Sequence, residues 1–176
     1  LIALLGLTLR ALPISSQSQE LQSPRKTVKE ALKIIRESVT DEEKNHAYKR
    51  LPEAVIEDSQ DIVSLHDEMR SLEHRFENLK QYDALDAGDR RIRACLKKAT
   101  DLKYADALAS LLEKEYQDPP EKLIVPNLSE KPVEGTRYLM RMARLTFLLN
   151  LNGQAKNKKS LPVLRKMLDK GGFQTY

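Results

Sequence analysis

Residues 53–80 read EAVIEDSQDIVSLHDEMRSLEHRFENLK. Within them Ile62, Leu65, Met69, Leu72, Phe76 and Leu79 recur alternately three and four residues apart, and charged residues fill most of the positions between. That spacing gathers all six side chains on one seam of a helix, expected from about Pro52 to Gln81. Such a helix is marginal alone in water, so its seam must press against another helix. Two partners suit it: the chain's own second helix, or another protomer, giving a homo- or hetero-oligomer through a short coiled coil. Fewer than three heptads is short for an autonomous coiled coil, which favours closure within the chain.

Downstream the period breaks around Asp86, Ala87 and Gly88, where a turn is expected. It resumes through Ile92, Cys95, Leu96, Ala99, Leu102, Ala105, Leu108, Ala109, Leu112 and Tyr116, as one helix over 89–116 or as two. Two long amphipathic helices joined by a short turn make an antiparallel αα-hairpin. Upstream, Ser23-Pro24 reads as an N-cap followed by Pro at the first position of a helix over about 24–38. Thr40 with Glu43 is a capping-box signature for a short helix that stops before Pro52.

Beyond the second long pattern, Pro119, Pro120, Pro126 and Pro132 argue against a helix and make 118–135 a strap loop across the surface. Thr136 is placed to cap a helix over Arg137–Leu151. That helix is apolar on nearly every face, and is expected to be the most buried element. Residues 152–159 read as a polar loop, and Ser160 as the cap of a last helix ended by Gly171-Gly172.

The fold class that follows is all-α: an irregular helical bundle with a long antiparallel αα-hairpin, although helix pairs of uneven length also suit a helical-repeat stack. Residues 1–23 form a short apolar helix (Ile2, Leu5, Leu9, Leu12) and a Ser/Gln-rich linker. Residues 24–117 carry the hairpin domain, 118–135 the strap, and 136–176 a basic cap on the same core.

Composition agrees with this class. The 176 residues are 40% apolar and 32% charged, with three Phe and no Trp, a helix-leaning balance rather than that of a β-sandwich or a disordered tail. The one cysteine, Cys95, lies among Ile92, Leu96 and Ala99 and reads as a buried thiol; no internal disulfide is possible. A reducing compartment, cytoplasmic or nuclear, fits that usage. The chain starts on Leu, as a processed chain or part of something larger would. Leu1 to Leu9 has the apolar character of a signal-peptide core, but Arg10 follows it instead of preceding it. Were the chain exported, Asn127-Leu128-Ser129 would be a glycosylation acceptor. No apolar run in the sequence approaches the roughly 18 residues that a transmembrane helix needs.

Charge is unevenly placed. Residues 137–176 hold nine bases and one acid, whereas Asp41 to Glu77 holds eleven acids and five bases. Arg137, Arg141 and Arg144 fall at i, i+4 and i+7 on one helical face. With Lys156, Lys158, Lys159, Arg165 and Lys166 they make a candidate basic face for an acidic protein partner, a phosphate backbone or anionic lipid. The structural alternative is that the arginines dock on the domain's own acidic helix. A second basic run (Arg90, Arg91, Arg93, Lys97, Lys98) reads as a solvated face. Stacking aromatics are scarce, which argues against sequence-reading single-strand recognition.

Catalytic and metal motifs are weak. Glu43 and His46 have the Glu-x-x-His spacing of di-iron bundles, but a second such motif is missing. His66-Asp67-Glu68-Met69-Arg70 lacks the second histidine of a hydrolytic zinc helix. Asp58 and Asp61 lack the second carboxylate cluster of a magnesium-diphosphate site, and the three histidines read as solvated. The expectation is therefore no catalytic residue, metal or cofactor. The leading function is a non-enzymatic helical scaffold or adaptor for a protein partner. An electrostatic nucleic-acid-binding subunit comes second, and a membrane-surface module using Leu1 to Leu12 third.

Overall fold

Capping boxes set the starts of three helices. A computed structural model describes residues 26–117 and 129–169. The expectations for 1–23, for Ser23-Pro24, for 118–128, for Asn127 and for Gly171-Gly172 lie outside the described residues. Thr27 with Glu30 opens α1 (Val28–Glu37), Thr40 with Glu43 opens α2 (Asp41–Arg50), and Asp58 with Asp61 opens α3 (Ser59–Arg75). In each, the cap side chain accepts an amide N–H of the first turn while the acid three residues on accepts the cap's own N–H. Then follow α4 (Tyr82–Leu96), α5 (Ala105–Gln117), α6 (Pro132–Gln154) and α7 (Leu161–Asp169), with 3-10 turns at Leu51–Glu53, Leu79–Gln81, Leu102–Tyr104 and Lys158–Ser160. The described residues contain no strand, only an isolated parallel bridge between Thr27 and Val55. The fold is an all-α helical bundle.

Several boundaries differ from expectation. The helix assigned to 52–81 is α3 alone, about 25 Å long. It starts only at Ser59 because residues 54–57 lead up to the Asp58 cap and Val55 is bound to the chain ahead of α1 (Val28 N to Val55 O, 3.0 Å; Val55 N to Lys26 O, 3.0 Å). It ends at Arg75, with Phe76 turned to extended backbone. The pattern over 89–116 is two helices: Lys98 and Ala99 donate back to Cys95 and Leu96 in a tight turn, and Asp101 caps the next one. Asp86, Ala87 and Gly88 lie inside α4, and the connection from α3 to α4 runs through 76–81. Pro132 is the first residue of α6, where its missing N–H has no intrahelical partner to lose. Thr136 is inside that helix and donates to the Pro132 carbonyl at 2.7 Å. The cap before α7 is Asn157, whose side chain accepts the Lys159 amide, while Ser160 donates to the Asn157 carbonyl.

One continuous core cluster runs from Val28 to Met167. α3 sits at its centre, in contact with α1, α4, α5 and α6. It is α3, not α6, that is sunk deepest: Ile62, Leu65, Met69 and Leu72 are at most 1% exposed, whereas Leu139 on α6 is 49% exposed. The seam is thus consumed within the chain, and a coiled coil with a second protomer through it would have to unpack the core. Phe76 joins the buried set, but Leu79 is displaced into a 3-10 turn and exposed. α1 packs on α2, α3 on α4 and α5 on α6, while α1, α3, α5 and α7 touch in succession and α2 touches α4. Asn152 and Asn157, expected in a polar loop, are buried. Asn157 binds the Ala105 carbonyl (2.7 Å) and Asn152, which binds the Leu108 carbonyl (3.2 Å), so the α6–α7 link is latched to α5.

Candidate functional site

The arginine stripe of α6 turns inward. Arg137 donates through Nε to the Phe76 carbonyl (2.9 Å), so a cation closes the C-terminal end of α3, where the helix leaves carbonyls unpaired. One turn on, Arg141 lies 3.8 Å from Glu73. Arg144, 2% exposed, pairs with Glu73 (Nη1 to Oε2, 2.8 Å) and with Glu115 of α5 (Nε to Oε1, 3.0 Å). His66 Nε2 donates to the same Glu115 oxygen at 2.8 Å, and its ring is fully buried, not solvated. Its Nδ1 is buried without a hydrogen-bond partner, 3.7 Å from Asp67.

A buried charge is tolerated only when paired. Burial alone would raise the Glu115 carboxyl, but the His66 hydrogen bond and the Arg144 guanidinium outweigh it and hold it down to about 2. The two carboxylates raise Arg144 against its own burial. Beside this layer, burial raises Asp89 against the pull of Arg93, whose Nε lies 2.6 Å away. Arg93 also donates to the Ala143 carbonyl (2.9 Å) and stacks over Phe147.

A second polar knot joins α2 to α3. Tyr48 donates its hydroxyl to Glu68 Oε1 at 2.5 Å, and Arg75 donates to both the carboxylate (2.8 Å) and the phenol oxygen (3.1 Å). Burial first, then the Glu68 charge, raises the Tyr48 hydroxyl above its ordinary value. This knot borders a cavity of about 360 Å³ with Arg36, Lys44 and Ser71 on its walls. Glu68 is committed to Tyr48 and Arg75, and Asp67, which also lines that cavity, pairs with Lys114 at 3.3 Å.

Of the eight basic positions singled out by sequence, Arg137, Arg141 and Arg144 are therefore clamp residues. Lys159 pairs with Asp106 (2.6 Å) and Lys166 with Glu113 (2.9 Å). Lys156, Lys158 and Arg165 are exposed. The second run is divided as well: Arg90 pairs with Asp86, Arg91 binds Asn45, and Lys98 reaches the Ala54 carbonyl. Cys95 is fully buried, and burial pushes its thiol up to about 11, which keeps it protonated and inert at neutral pH. Asp58 and Asp61 are a helix cap, and Glu43 accepts the amides of Val39 and Thr40 while His46 is exposed. Among the described residues no group of three or more His, Cys, Asp or Glu is placed to hold a metal ion. None of the described helices is long and apolar enough to cross a membrane.

α1, α2 and the chain at 53–54 enclose a groove of about 1680 Å³. Its floor is Ala31, Ala47 and Ala54, all buried; Ile34 (39% exposed) and Val39 (87%) stand at its edge. The sequence signal for this place was the acidic bias after Asp41, but nothing local says that two short helices leave a trough between them. No family model matches the sequence, and no curated protein or solved structure is significantly similar to it.

Proposed function

We propose that the chain is a non-enzymatic helical scaffold or adaptor that holds a protein partner within a larger assembly. The observation that carries this reading is the arrangement of the helices in successive pairs, with α1–α2 as the end pair among the described residues. In stacked helix pairs each pair buries its faces on its neighbours, and apolar surface left among the polar residues of an end pair is free for something else to cover. Ile34, Val39 and Val55 are such surface. The buried charges support the same reading, because Glu73 and Glu115 are spent on Arg144, and Glu68 on Arg75 and Tyr48, which stiffens the frame. The test is affinity isolation of the full chain from the cells that make it, after nuclease treatment and at physiological salt, followed by native mass spectrometry. A protein complex of defined stoichiometry is expected; recovery of the chain alone would overturn the proposal.

A nucleic-acid reading keeps one observation in its favour, the exposed Lys156, Lys158 and Arg165 around the α6–α7 link. Three phosphate contacts correspond to a log–log salt slope of roughly −3, well short of a strongly electrostatic binder. The membrane-surface reading loses its basic helix, since Arg137, Arg141 and Arg144 are turned onto α3 and α5.

A further inference from the structure

We propose that the groove between α1 and α2 receives one amphipathic helix with a basic rim, contributed by the protein partner; this rests on the scaffold reading above. Three independent features converge on that chemistry. The first is size. α1 and α2 are ten residues each, about 15 Å long, so a helix lying along the groove between them meets it over roughly ten residues, or three turns.

The second is the apolar lining. Small side chains at Ala31, Ala47 and Ala54 let a helix come close, and Ile34 and Val39 flank the trough where a seam of leucines at i, i+3, i+4 and i+7 would lie. The third is charge. Glu30, Glu37, Glu42, Glu43 and Glu53 line the groove against Lys26, Lys49 and Arg50, so its wall is net negative. The Val39 and Thr40 amides lower the Glu43 carboxyl, which keeps that charge in place under mild acid. A basic rim pairs with this wall, and an acidic one is repelled.

Fluorescent peptides of about 16 residues, sharing one leucine seam and differing only in a Lys/Arg, Gln or Glu rim, test the proposal by anisotropy against the full chain. The Lys/Arg peptide is expected to bind at least about tenfold tighter than the Glu peptide. Glu42→Lys with Glu53→Lys, both exposed and outside the capping boxes, is expected to reverse that order. Ile34→Glu with Val39→Glu is expected to abolish binding while circular dichroism stays unchanged. Equal binding of all three peptides, or none, overturns the proposal. So does a peptide of residues 1–12 that outcompetes the Lys/Arg peptide, since the chain would then fill its own groove. If the isolated complex forms but ignores the Ile34/Val39 change, the groove assignment fails while the scaffold reading stands.

Discussion

Arg144 ties three helices together. From α6 it neutralises a carboxylate on α3 and another on α5, in a place where no water competes. Removing one member of such a set leaves the others charged and unpaired, at a cost of about 3–5 kcal/mol. Arg144→Met, which keeps the packing volume, is therefore expected to lower stability by that amount in urea unfolding. Lys158→Met, an exposed change in the same basic third, should stay within about 0.5 kcal/mol of the parent. A loss for Arg144→Met as small as that for Lys158→Met would contradict the clamp. The stripe itself was legible in the sequence as Arg137, Arg141 and Arg144, and so was the option of docking on an acidic helix. Its direction was not, because a row of arginines has the same spacing whether it meets solvent or Glu73 and Glu115. His66 reads as solvated from sequence for the same reason: its partner lies 49 residues away.

At the scale of the element, local chemistry and distant chemistry separate cleanly. Thr40 with Glu43 could be read directly, since a capping box closes within four residues. The end of α3 could not, because the group that stabilises its last carbonyls, Arg137, comes from α6. A 3–4 periodicity continuing to Leu79 masked that stop. Gly88 shows the opposite error: the residue reads as a turn, yet lies buried in the middle of α4. A Cβ there would meet Leu72 Cδ1 at 3.4 Å and Tyr48 Cε2 at 3.6 Å, ordinary van der Waals contacts. Gly88→Ala is accordingly expected to stabilise the protein by about 0.5–1 kcal/mol through helix propensity, read as a rise in Tm. Gly88→Leu has no room at this crossing and should lower Tm; a fall for the alanine variant too would mean that the helices pack closer than described.

For the whole molecule, the interior charges set the response to acid. Glu115 is held near 2 in the folded chain against an ordinary 4.5, so it contributes its full stabilisation above pH 4.5 and loses it as pH falls from 4.5 towards 2. That shift corresponds to about 3 kcal/mol. Asp89 works in the other direction: its raised value means that ionisation opposes folding, and protonation by acid relieves this. Unfolding free energy measured from pH 7 to pH 2 should therefore drop below pH 4.5, and Glu115→Gln should flatten that drop while lowering stability at neutral pH. A wild-type curve level from pH 4.5 to 2 would remove the clamp from the account of acid stability.

The bridge between Thr27 and Val55 has a mechanical meaning. Tension arriving along the backbone ahead of Lys26 does not fall on the first turn of α1 alone. The two amide–carbonyl bonds to Val55 hand part of it to the segment that leads into α3, the axle of the molecule. α1 and α2 are thus moored at both ends of their excursion, and whatever pulls on the leading chain tugs on the central helix as well.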